Sequence, residues 1–268
     1  MEYNFDVKKI TEELVEWIRN WIKNNGNDST KVIIGVSGGK DSSTVSALLV
    51  KALGKDRVVG VMMPNGTQKD ISDSQKLVDH LGIQHFTVNI NKAYRGLQEA
   101  FTEAGIAEPA ESLSGAADDV FTPGFRTNTP ARMRMTTLYG AAAMIGNCRV
   151  VNTCNLSEDL VGYSTFYGDS AGDFAPISKL TTEEVVQIGD YLGLPHDLTH
   201  KAPSDGMCGK TDEDNLGFTY HEINEIARKG IKGPNYDKII QKFNWNIFKV
   251  RIINLPCYRP DLPLNFEI

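Results

Sequence analysis

The stretch GVSGGKDSSTVSALL, residues 35–49, places glycines, hydroxyls, a lysine and a carboxylate directly after the apolar run VII. Gly38 and Gly39 allow the backbone to approach a ligand closely, and the start of the helix predicted to follow adds free N–H groups and a positive dipole. The hydroxyl donors in the stretch are Ser37, Ser42 and Ser43. Together these groups predict a loop that binds phosphate.

Two common phosphate-binding loops are excluded by spacing. An NTPase P-loop needs G-x-x-x-x-G-K followed by Ser or Thr, whereas here Lys40 is followed by Asp41. The glycines also lack the G-x-G-x-x-G spacing of a dinucleotide-binding loop. The remaining pattern is S-G-G-x-D-S-S, in which Asp41 would repel a phosphate unless a cation lay between them. We therefore expect a Mg²⁺ position beside this carboxylate.

The elements that must position this loop alternate along the chain. We predict an opening helix with Ile10, Leu14, Trp17, Ile18 and Trp21 on one face. The predicted strands are 31–36, 57–64, 83–90 and 148–155. The predicted helices are 41–53, 70–81, 93–105, 129–146 with Pro130 in the first turn, and 181–192. Strands that alternate with helices of this length predict a parallel sheet covered on both faces, hence a three-layer, doubly wound α/β fold.

The composition limits the class of partner. The formal net charge is −6, and no cluster of Lys and Arg is dense enough to predict a broad nucleic-acid surface. No apolar run reaches the length of a membrane span, and the first residues are acidic and amphipathic, unlike a signal peptide. The four cysteines form no C-x-x-C pair, so neither a zinc site nor a disulfide framework is predicted. We expect a cytoplasmic protein with small-molecule partners.

The loop resembles the signature of the ATP pyrophosphatase superfamily, whose members cleave ATP between the α and β phosphates. Three further stretches stand in the order of ammonia-dependent NAD synthetase motifs: TNTPARMRMTTLYGAAA, NTCNLSEDLVGYSTFYGDSAGDFAPISKL and TDEDNLGFTYHEIN. The resemblance implies an adenine nucleotide α-hydrolase-like fold and amidation of deamido-NAD⁺ by ammonia through an acyl-adenylate, with Mg²⁺ and ATP. It also implies a homodimer. We expect one domain over residues 1–268, with an N-terminal helix (1–30), an α/β core (31–194) and C-terminal loop and helices (195–268).

The resemblance also implies roles for individual residues. The expected ATP-binding residues are Ser37, Gly38, Gly39, Lys40, Asp41, Ser42, Ser43, Thr153 and Ser204. Those expected to contact deamido-NAD⁺ are Arg132, Asp173 and Lys249, with Arg134 as an alternative to Arg132. Asp41 and Glu158 are expected to bind the metal, and Asp41, Glu158 and Asp173 are the expected catalytic residues.

Three positions depart from the family pattern. The family often has Lys where Phe166 and Thr182 stand, and His where Phe248 stands. We hypothesise that Lys40 supplies positive charge near the phosphates in place of the missing Lys at position 182, with Lys179 and Lys210 as other candidates. Another amide-forming or adenylating ligase with a different carboxylate substrate therefore stays open as the alternative function. A tRNA-modifying pyrophosphatase would share the loop, but it would need a basic surface that this sequence lacks. A non-catalytic nucleotide switch would also share the loop, but it would not need Glu158 and Arg132.

Overall fold

The computed structural model describes residues 2–68, 70–106, 120–201 and 211–266. Four strands form one parallel sheet in the order β3-β2-β1-β4. The strands are β1 (Lys31–Gly35), β2 (Val58–Met62), β3 (Gln84–Thr87) and β4 (Cys148–Val151). Each pair is parallel, with Val32 beside Val58 and Val59 beside Gln84, and with Ile33 beside Val150 on the other side of β1.

Helices connect and extend these strands. In the core they are α1 (Val7–Asn25), α2 (Lys40–Leu53), α3 (Ile71–Leu81), α4 (Asn91–Glu103), α5 (Pro123–Ile145), α6 (Leu156–Val161) and α7 (Thr182–Tyr191). Beyond the core they are α8 (His196–Thr199), α9 (Asp212–Leu216), α10 (Tyr220–Lys229) and α11 (Tyr236–Ile253). This confirms the predicted α/β class with C-terminal helical additions.

The sheet is the middle of three layers. On one face, buried side chains of α1, α2, α3 and α7 pack against β1 and β2, with Leu14, Leu48 and Ile188 fully buried. On the other face, α5 covers Ile33, Val61 and Val150. Because consecutive strand residues point to opposite faces, a sheet covered on both sides needs continuous apolar strands such as VII. This explains why β1 and β2 could be found from sequence.

The strand order places the site. The chain moves outward from β1 to β2 and β3, then returns to the other side of β1 for β4. The loops after β1 and β4 therefore diverge at the carboxyl edge of the sheet and leave a crevice, the usual ligand position in such folds. The predicted phosphate loop follows β1, and the segment with Thr153 and Glu158 follows β4.

The start of α5 differs from the prediction. Pro130 lies inside the helix and not in its first turn, because α5 begins at Pro123. Thr122 caps the helix by accepting a hydrogen bond from the Phe125 N–H, and Pro123 takes the first helical position, where no N–H is needed. Pro130 lies about two turns further along and does not define the start of the helix.

The short helices α6 and α9 have no counterpart among the helices whose bounds were predicted. Segment 156–173 begins with α6, which a capping box starts: the Asn155 side chain accepts from the Glu158 N–H, and the Glu158 carboxylate accepts from the Asn155 N–H. Thr211 starts α9 in the same way with Asp214. No helix in the described ranges is both long and apolar enough to cross a membrane.

The tryptophans of α1 are part of the chain's own core. Trp21 stacks on Phe174 with ring centroids 4.2 Å apart, and Trp17 lies 6.2 Å from the same ring. Phe174 itself is fully buried beside the end of β4. Both tryptophans contact Phe174 of the same chain, so they give no support to the homodimer that the family resemblance implies.

The C-terminal helices form a second core. Buried residues of α6, α10 and α11, including Leu160, Ile223 and Phe243, pack together. The Arg228 guanidinium joins this core to the α/β part: its Nε and Nη2 atoms donate to the two Glu184 oxygens at 2.7 Å. Arg228 also donates to the carbonyls of Lys179 and Pro263. Both members of the ion pair are buried, so the pair fixes α10 against α7.

Candidate active site

The phosphate loop is a tight turn between β1 and α2. Gly38 has φ +75°, a conformation that L side chains rarely adopt, and a Cβ there would lie 2.7 Å from the Cβ of Asp73 and the N of Ser74. Gly39 is the N-cap of α2 and makes no side-chain cap hydrogen bond. The loop therefore lies directly on the start of α3 and leaves the N-terminus of α2 open to an anion.

The serines of the loop have different positions. Ser37 is exposed, and its hydroxyl lies 3.0 Å from that of Ser42 and accepts from the Gly39 N–H. Ser43 differs from expectation, because it is fully buried and its hydroxyl donates to the Gly39 carbonyl at 2.8 Å. In this position Ser43 holds the loop together, and Ser37 is the serine whose hydroxyl faces solvent.

An ion pair fixes the segment opposite the loop. The Lys201 ammonium lies 2.7 Å from Asp70 Oδ2 and 2.6 Å from Asp73 Oδ2, at the start of α3. These contacts raise the pKa of Lys201 despite partial burial, which by itself lowers it. Lys201 thereby ties the end of the segment after α8 to the helix on which Gly38 rests. Ser204 follows this lysine, but it lies outside the described residues.

The two expected metal ligands meet across the crevice. Asn155, the residue after β4 that caps α6, donates from Nδ2 to Asp41 Oδ1 at 2.9 Å, and its backbone N–H donates to Glu158 Oε2 at 3.3 Å. Burial and the Asp41 charge raise the pKa of Glu158 well above its ordinary range. Two carboxylates that are bonded to the same residue and raise each other's energy when charged attract a cation.

A lysine already lies in this acidic cluster. The Lys40 side chain is 7% exposed, and its Nζ lies 3.1 Å from Asp41 Oδ2 and 5.7 Å from the centre of the Tyr220 ring. Burial lowers the pKa of Lys40, but the Asp41 and Glu158 carboxylates outweigh this effect and raise it. Asp212, buried on α9, contributes in the same direction.

The donor set fits magnesium. Mg²⁺ in nucleotide sites is usually held by one or two protein carboxylates, with water and substrate phosphates as the other ligands. Asp41 and Glu158 supply those carboxylates beside the phosphate loop. Within the described ranges, no group of three or more His, Cys, Asp and Glu side chains forms a fuller cage. This arrangement suits a metal that arrives with a nucleotide.

The two arginines of α5 lie in different environments. Arg132 is exposed, and its Nε donates to the Phe166 carbonyl at 3.2 Å. Arg134 is partly buried and donates from Nε to the carbonyl of Met63, at the carboxyl edge of the sheet. Burial lowers the pKa of Arg134, and the nearby Asp169 partly opposes this. Both arginines keep guanidinium nitrogens that could receive an anion.

Asp173 lies at the outer edge of the sheet. Its Oδ2 accepts from the Val150 N–H at 2.8 Å, and its Oδ1 accepts from the Tyr139 hydroxyl at 3.2 Å. Burial and this carboxylate raise the pKa of Tyr139 to about 12. Asp173 therefore connects α5 with β4, and both of its oxygens already accept hydrogen bonds.

The remaining expected residues are separated from the phosphate loop or bonded elsewhere. Thr153 lies just after β4, at the crevice. Lys249 of α11 donates from Nζ to the carbonyls of Gly162 and Ser164 at 2.8 and 2.9 Å. These bonds hold the loop after α6 against α11. Phe166 and Phe248, both departures from the family pattern, contact each other with ring centroids 5.9 Å apart.

Sequence reasoning missed three residues of the acidic cluster. Asn155 bridges the two carboxylates, while Asp212 and Tyr220 approach Lys40 from the C-terminal helices. The N-x-x-E pattern from Asn155 to Glu158 is a capping-box signal that could have identified the first. The other two lie in the quoted stretch TDEDNLGFTYHEIN, but that stretch by itself assigned neither residue a role.

Comparison with known proteins agrees with this geometry. A family model described as NAD synthase matches residues 10–255. A protein of Thermococcus sibiricus named NH(3)-dependent NAD(+) synthetase is 36% identical over 271 residues, covering 99% of each chain.

Two solved structures are also similar. The NMN synthetase of Francisella tularensis has a TM-score of 0.77 at 29% identity, covering 97% of this chain and 100% of its own. The NH3-dependent NAD synthetase of Campylobacter jejuni has a TM-score of 0.65 at 27% identity, covering 92% and 96%. Since the family model spans most of the chain and a full-length relative is more than a third identical, this chain belongs to the NAD synthase family.

Proposed function

We propose that the protein converts deamido-NAD⁺ to NAD⁺ with ATP and ammonia. The nicotinate carboxylate attacks the α-phosphate of ATP and releases pyrophosphate, and ammonia then displaces AMP from the acyl-adenylate. The observation that carries the proposal is the Asp41–Asn155–Glu158 cluster beside an open phosphate loop, in a chain of the NAD synthase family. Relatives that match along almost the whole chain support a single domain over residues 1–268.

The chain's own residues would position the substrates and neutralise the charge of the phosphates. The loop at 37–42 and the N-terminus of α2 would receive the ATP phosphates, with Lys40 as a nearby cation and Ser43 as internal support. Thr153 and Ser204 complete the proposed ATP contacts. Asp41 and Glu158 would hold Mg²⁺, which supplies charge stabilisation to the leaving pyrophosphate when it is bound. Alignment of carboxylate and α-phosphate in one crevice gives the rate advantage of an intramolecular reaction.

The carboxylate substrate would bind on the side of α5. Arg132 has free guanidinium nitrogens there, and Arg134 presents a second cation at the sheet edge. We propose Asp173 as a residue that fixes this side, and we assign it no proton transfer because both oxygens accept hydrogen bonds. Lys249 is proposed to act on the substrate only through the loop whose carbonyls it holds.

We also propose a cytoplasmic homodimer. Of the 23 residues of α5, only Pro130 and Ala142 are buried within the chain. Its last turns run GAAAMI, and Met144 is 89% exposed. Small residues allow two helices to approach closely, so this face of α5 suits a second copy of the chain. Sedimentation of Met144→Glu beside the unaltered protein would test this proposal. We expect the unaltered protein to be a dimer and Met144→Glu to be a monomer.

A second candidate substrate is nicotinate mononucleotide, which the same amidation would convert to NMN. The similarity to the Francisella tularensis NMN synthetase, with a higher TM-score than the Campylobacter jejuni enzyme, favours it. The contact between Phe166 and Phe248 points the same way, because this part of the site presents apolar rings and few groups for an additional phosphate.

One experiment tests both substrates. The purified protein is mixed with Mg-ATP, ammonium and either deamido-NAD⁺ or nicotinate mononucleotide, and amide product, AMP and pyrophosphate are followed together. Equal amounts of the three products are expected with one substrate. Asp41→Asn should lower the rate about 10²- to 10³-fold, as for loss of one strong electrostatic contact to a transition state. The matched control is Asp56→Asn, which changes an exposed carboxylate before β2 and should leave the rate unchanged. If no AMP formed with either substrate, the proposal would be refuted.

A further inference from the structure

Ser157 lies in the first turn of α6, between two residues of the acidic cluster. Asn155 caps the helix, and Glu158 follows Ser157 directly. Successive helical residues point about 100° apart around the helix axis, so the Ser157 side chain leaves α6 in a different direction from its neighbours. It is fully buried, accepts from the Thr182 N–H at 3.0 Å and donates to Asn224 Oδ1 at 2.7 Å.

These two hydrogen bonds join α6 to α7 and α10. Thr182 is the first residue of α7, and the N–H groups in the first turn of a helix have no partner within that helix. The Ser157 oxygen supplies one, and Asn224 on α10 receives the hydroxyl proton. The Thr182 hydroxyl in turn donates to Asn155 Oδ1 at 3.4 Å, and the Asn155 amide donates to Asp41. A buried hydrogen-bond network therefore runs from α10 to the phosphate loop.

The orientation of α6 depends on contacts outside the helix. The helix has six residues, and helices this short are not stable through their own hydrogen bonds. Glu158 and Asp41 both bond to Asn155, so their like charges repel each other and push the first turn of α6 away from α2. Apolar packing of Leu160 has no preferred direction, whereas a hydrogen bond does. The bonds of Ser157 are therefore suited to resist this repulsion.

Only one polar atom of the Asn224 side chain takes part. The side chain is 3% exposed, and within the described ranges its Nδ2 is the buried side-chain nitrogen or oxygen without a hydrogen-bond partner. A buried donor without a partner lowers stability. Asn224 thus acts through Oδ1, which accepts from Ser157. An aspartate at this position would keep that acceptor and lose no hydrogen bond.

We propose that Ser157 and Asn224 are positioning residues for the metal carboxylates, because they anchor α6 so that Glu158 faces Asp41 and both can receive Mg²⁺. The inference rests on the proposed function and adds the residues that hold its metal ligands in place. Both act through Asn155 and Glu158 and not by contact with the metal. Removal of residues that orient metal ligands in this way typically weakens metal binding about 10- to 100-fold.

The test compares Asn224→Leu, Ser157→Ala and Asn224→Asp in the full chain. Calorimetry measures the Kd of a non-hydrolysable ATP analogue twice, once with excess MgCl₂ and once in EDTA. Asn224→Leu removes the acceptor, and Ser157→Ala removes the hydroxyl. Each should raise the Kd of the Mg²⁺ complex about tenfold and leave the Kd of the metal-free analogue unchanged. Asn224→Asp should bind the Mg²⁺ complex at least as tightly as the unaltered protein does.

Thr199→Val is the matched control. Thr199 is also fully buried, and its hydroxyl donates at 2.7 Å to Asp190 in the last turn of α7, away from the acidic cluster. The melting temperature should fall in Thr199→Val as in Asn224→Leu, because each variant loses a buried hydrogen bond. Both Kd values should stay unchanged in Thr199→Val, which separates a loss of stability from a loss of metal positioning.

Three results would overturn the proposal. The first is an unchanged Kd of the Mg²⁺ complex in both Asn224→Leu and Ser157→Ala. The second is an equal rise of the two Kd values, which would indicate a general disturbance of the nucleotide site. The third is binding of the Mg²⁺ complex by Asn224→Asp as weak as that by Asn224→Leu.

Failure of this inference is distinguishable from failure of the proposed function. If the unaltered protein forms the amide and the variants keep their affinity for the Mg²⁺ complex, only the positioning role is wrong. If the variants bind the Mg²⁺ complex selectively more weakly but the unaltered protein releases no AMP, the positioning role stands and the proposed reaction is wrong. If Mg²⁺ leaves the Kd of the analogue unchanged in the unaltered protein, the metal site and the positioning role are both wrong.

Discussion

Replacement of Lys40 by methionine tests the electrostatics of the site most directly. The Lys40 ammonium lies 3.1 Å from Asp41 Oδ2, with side-chain exposures of 7% and 15%. Coulomb attraction at this distance is about 5 kcal/mol with an effective dielectric constant of ~20. Breaking a buried ion pair by removing one partner typically costs about 3–5 kcal/mol, because the other charge is left uncompensated.

The lower end of that range applies here. Asp41 keeps the amide of Asn155 at 2.9 Å on its other oxygen, and its side chain is 15% exposed. We therefore expect Lys40→Met to lower the free energy of unfolding by about 3 kcal/mol in EDTA at pH 7. Mg²⁺ should restore part of this loss, since it neutralises the same carboxylates. The stabilisation by Mg²⁺ should thus be larger in the variant than in the unaltered protein.

Urea unfolding, with and without MgCl₂, measures both effects, and Lys51→Met is the control because this exposed lysine lies in the last turn of the same helix.

The Michaelis constant for ATP should also rise in Lys40→Met. Thr182→Lys added to Lys40→Met should recover it, since the Thr182 hydroxyl lies 3.4 Å from the oxygen of the amide that contacts Asp41. Equal stability of Lys40→Met and the unaltered protein in EDTA would refute the electrostatic reasoning, and an unchanged Michaelis constant would refute a role in ATP binding.

Three other substitutions have defined outcomes. Gly38→Ala should destabilise the fold and Gly39→Ala should do so much less, because only the first has φ +75° and a blocked Cβ position; melting temperatures that fall equally would contradict this. Arg228→Met should lower the free energy of unfolding in urea by about 3–5 kcal/mol, and adding Glu184→Leu should recover much of this loss. Unchanged stability of Arg228→Met would show that the ion pair contributes nothing. His221→Gln should lower stability by under about 1 kcal/mol, because the ion pair is exposed. The hydrogen bond to its glutamate partner raises the pKa of His221, so this difference should be full below about pH 6.5 and vanish as the pH rises through the folded pKa; a pH-independent difference would exclude the ion pair as its cause.

The sheet and its helices could be predicted because their signals are local. A strand buried on both faces must be apolar throughout, and VII in β1 shows this within three residues. The S-G-G-x-D pattern likewise specifies a loop whose backbone geometry only glycine at position 38 permits. Such features depend on neighbours in sequence, so the order of elements and the phosphate loop were accessible.

The boundaries that failed depended on competing local signals. Two prolines and a capping threonine lie within nine residues at the start of α5, and the sequence alone favoured the wrong proline. The short α6 and α9 are too brief for a periodic pattern, and their capping boxes are the only strong indication of them.

The composition of the site was decided by tertiary structure. The sequence by itself determined a phosphate loop after β1 and identified Glu158 by resemblance. The switch of strand order between β1 and β4 brought Asn155 between the two carboxylates, and packing of the C-terminal helices brought Asp212 and Tyr220 to Lys40. Serine hydroxyls that look equivalent in sequence were separated by the helix, which buried Ser43 and exposed Ser37. The physical reason is that charge compensation and side-chain direction depend on distances between elements far apart in the chain, which local residue preferences do not encode.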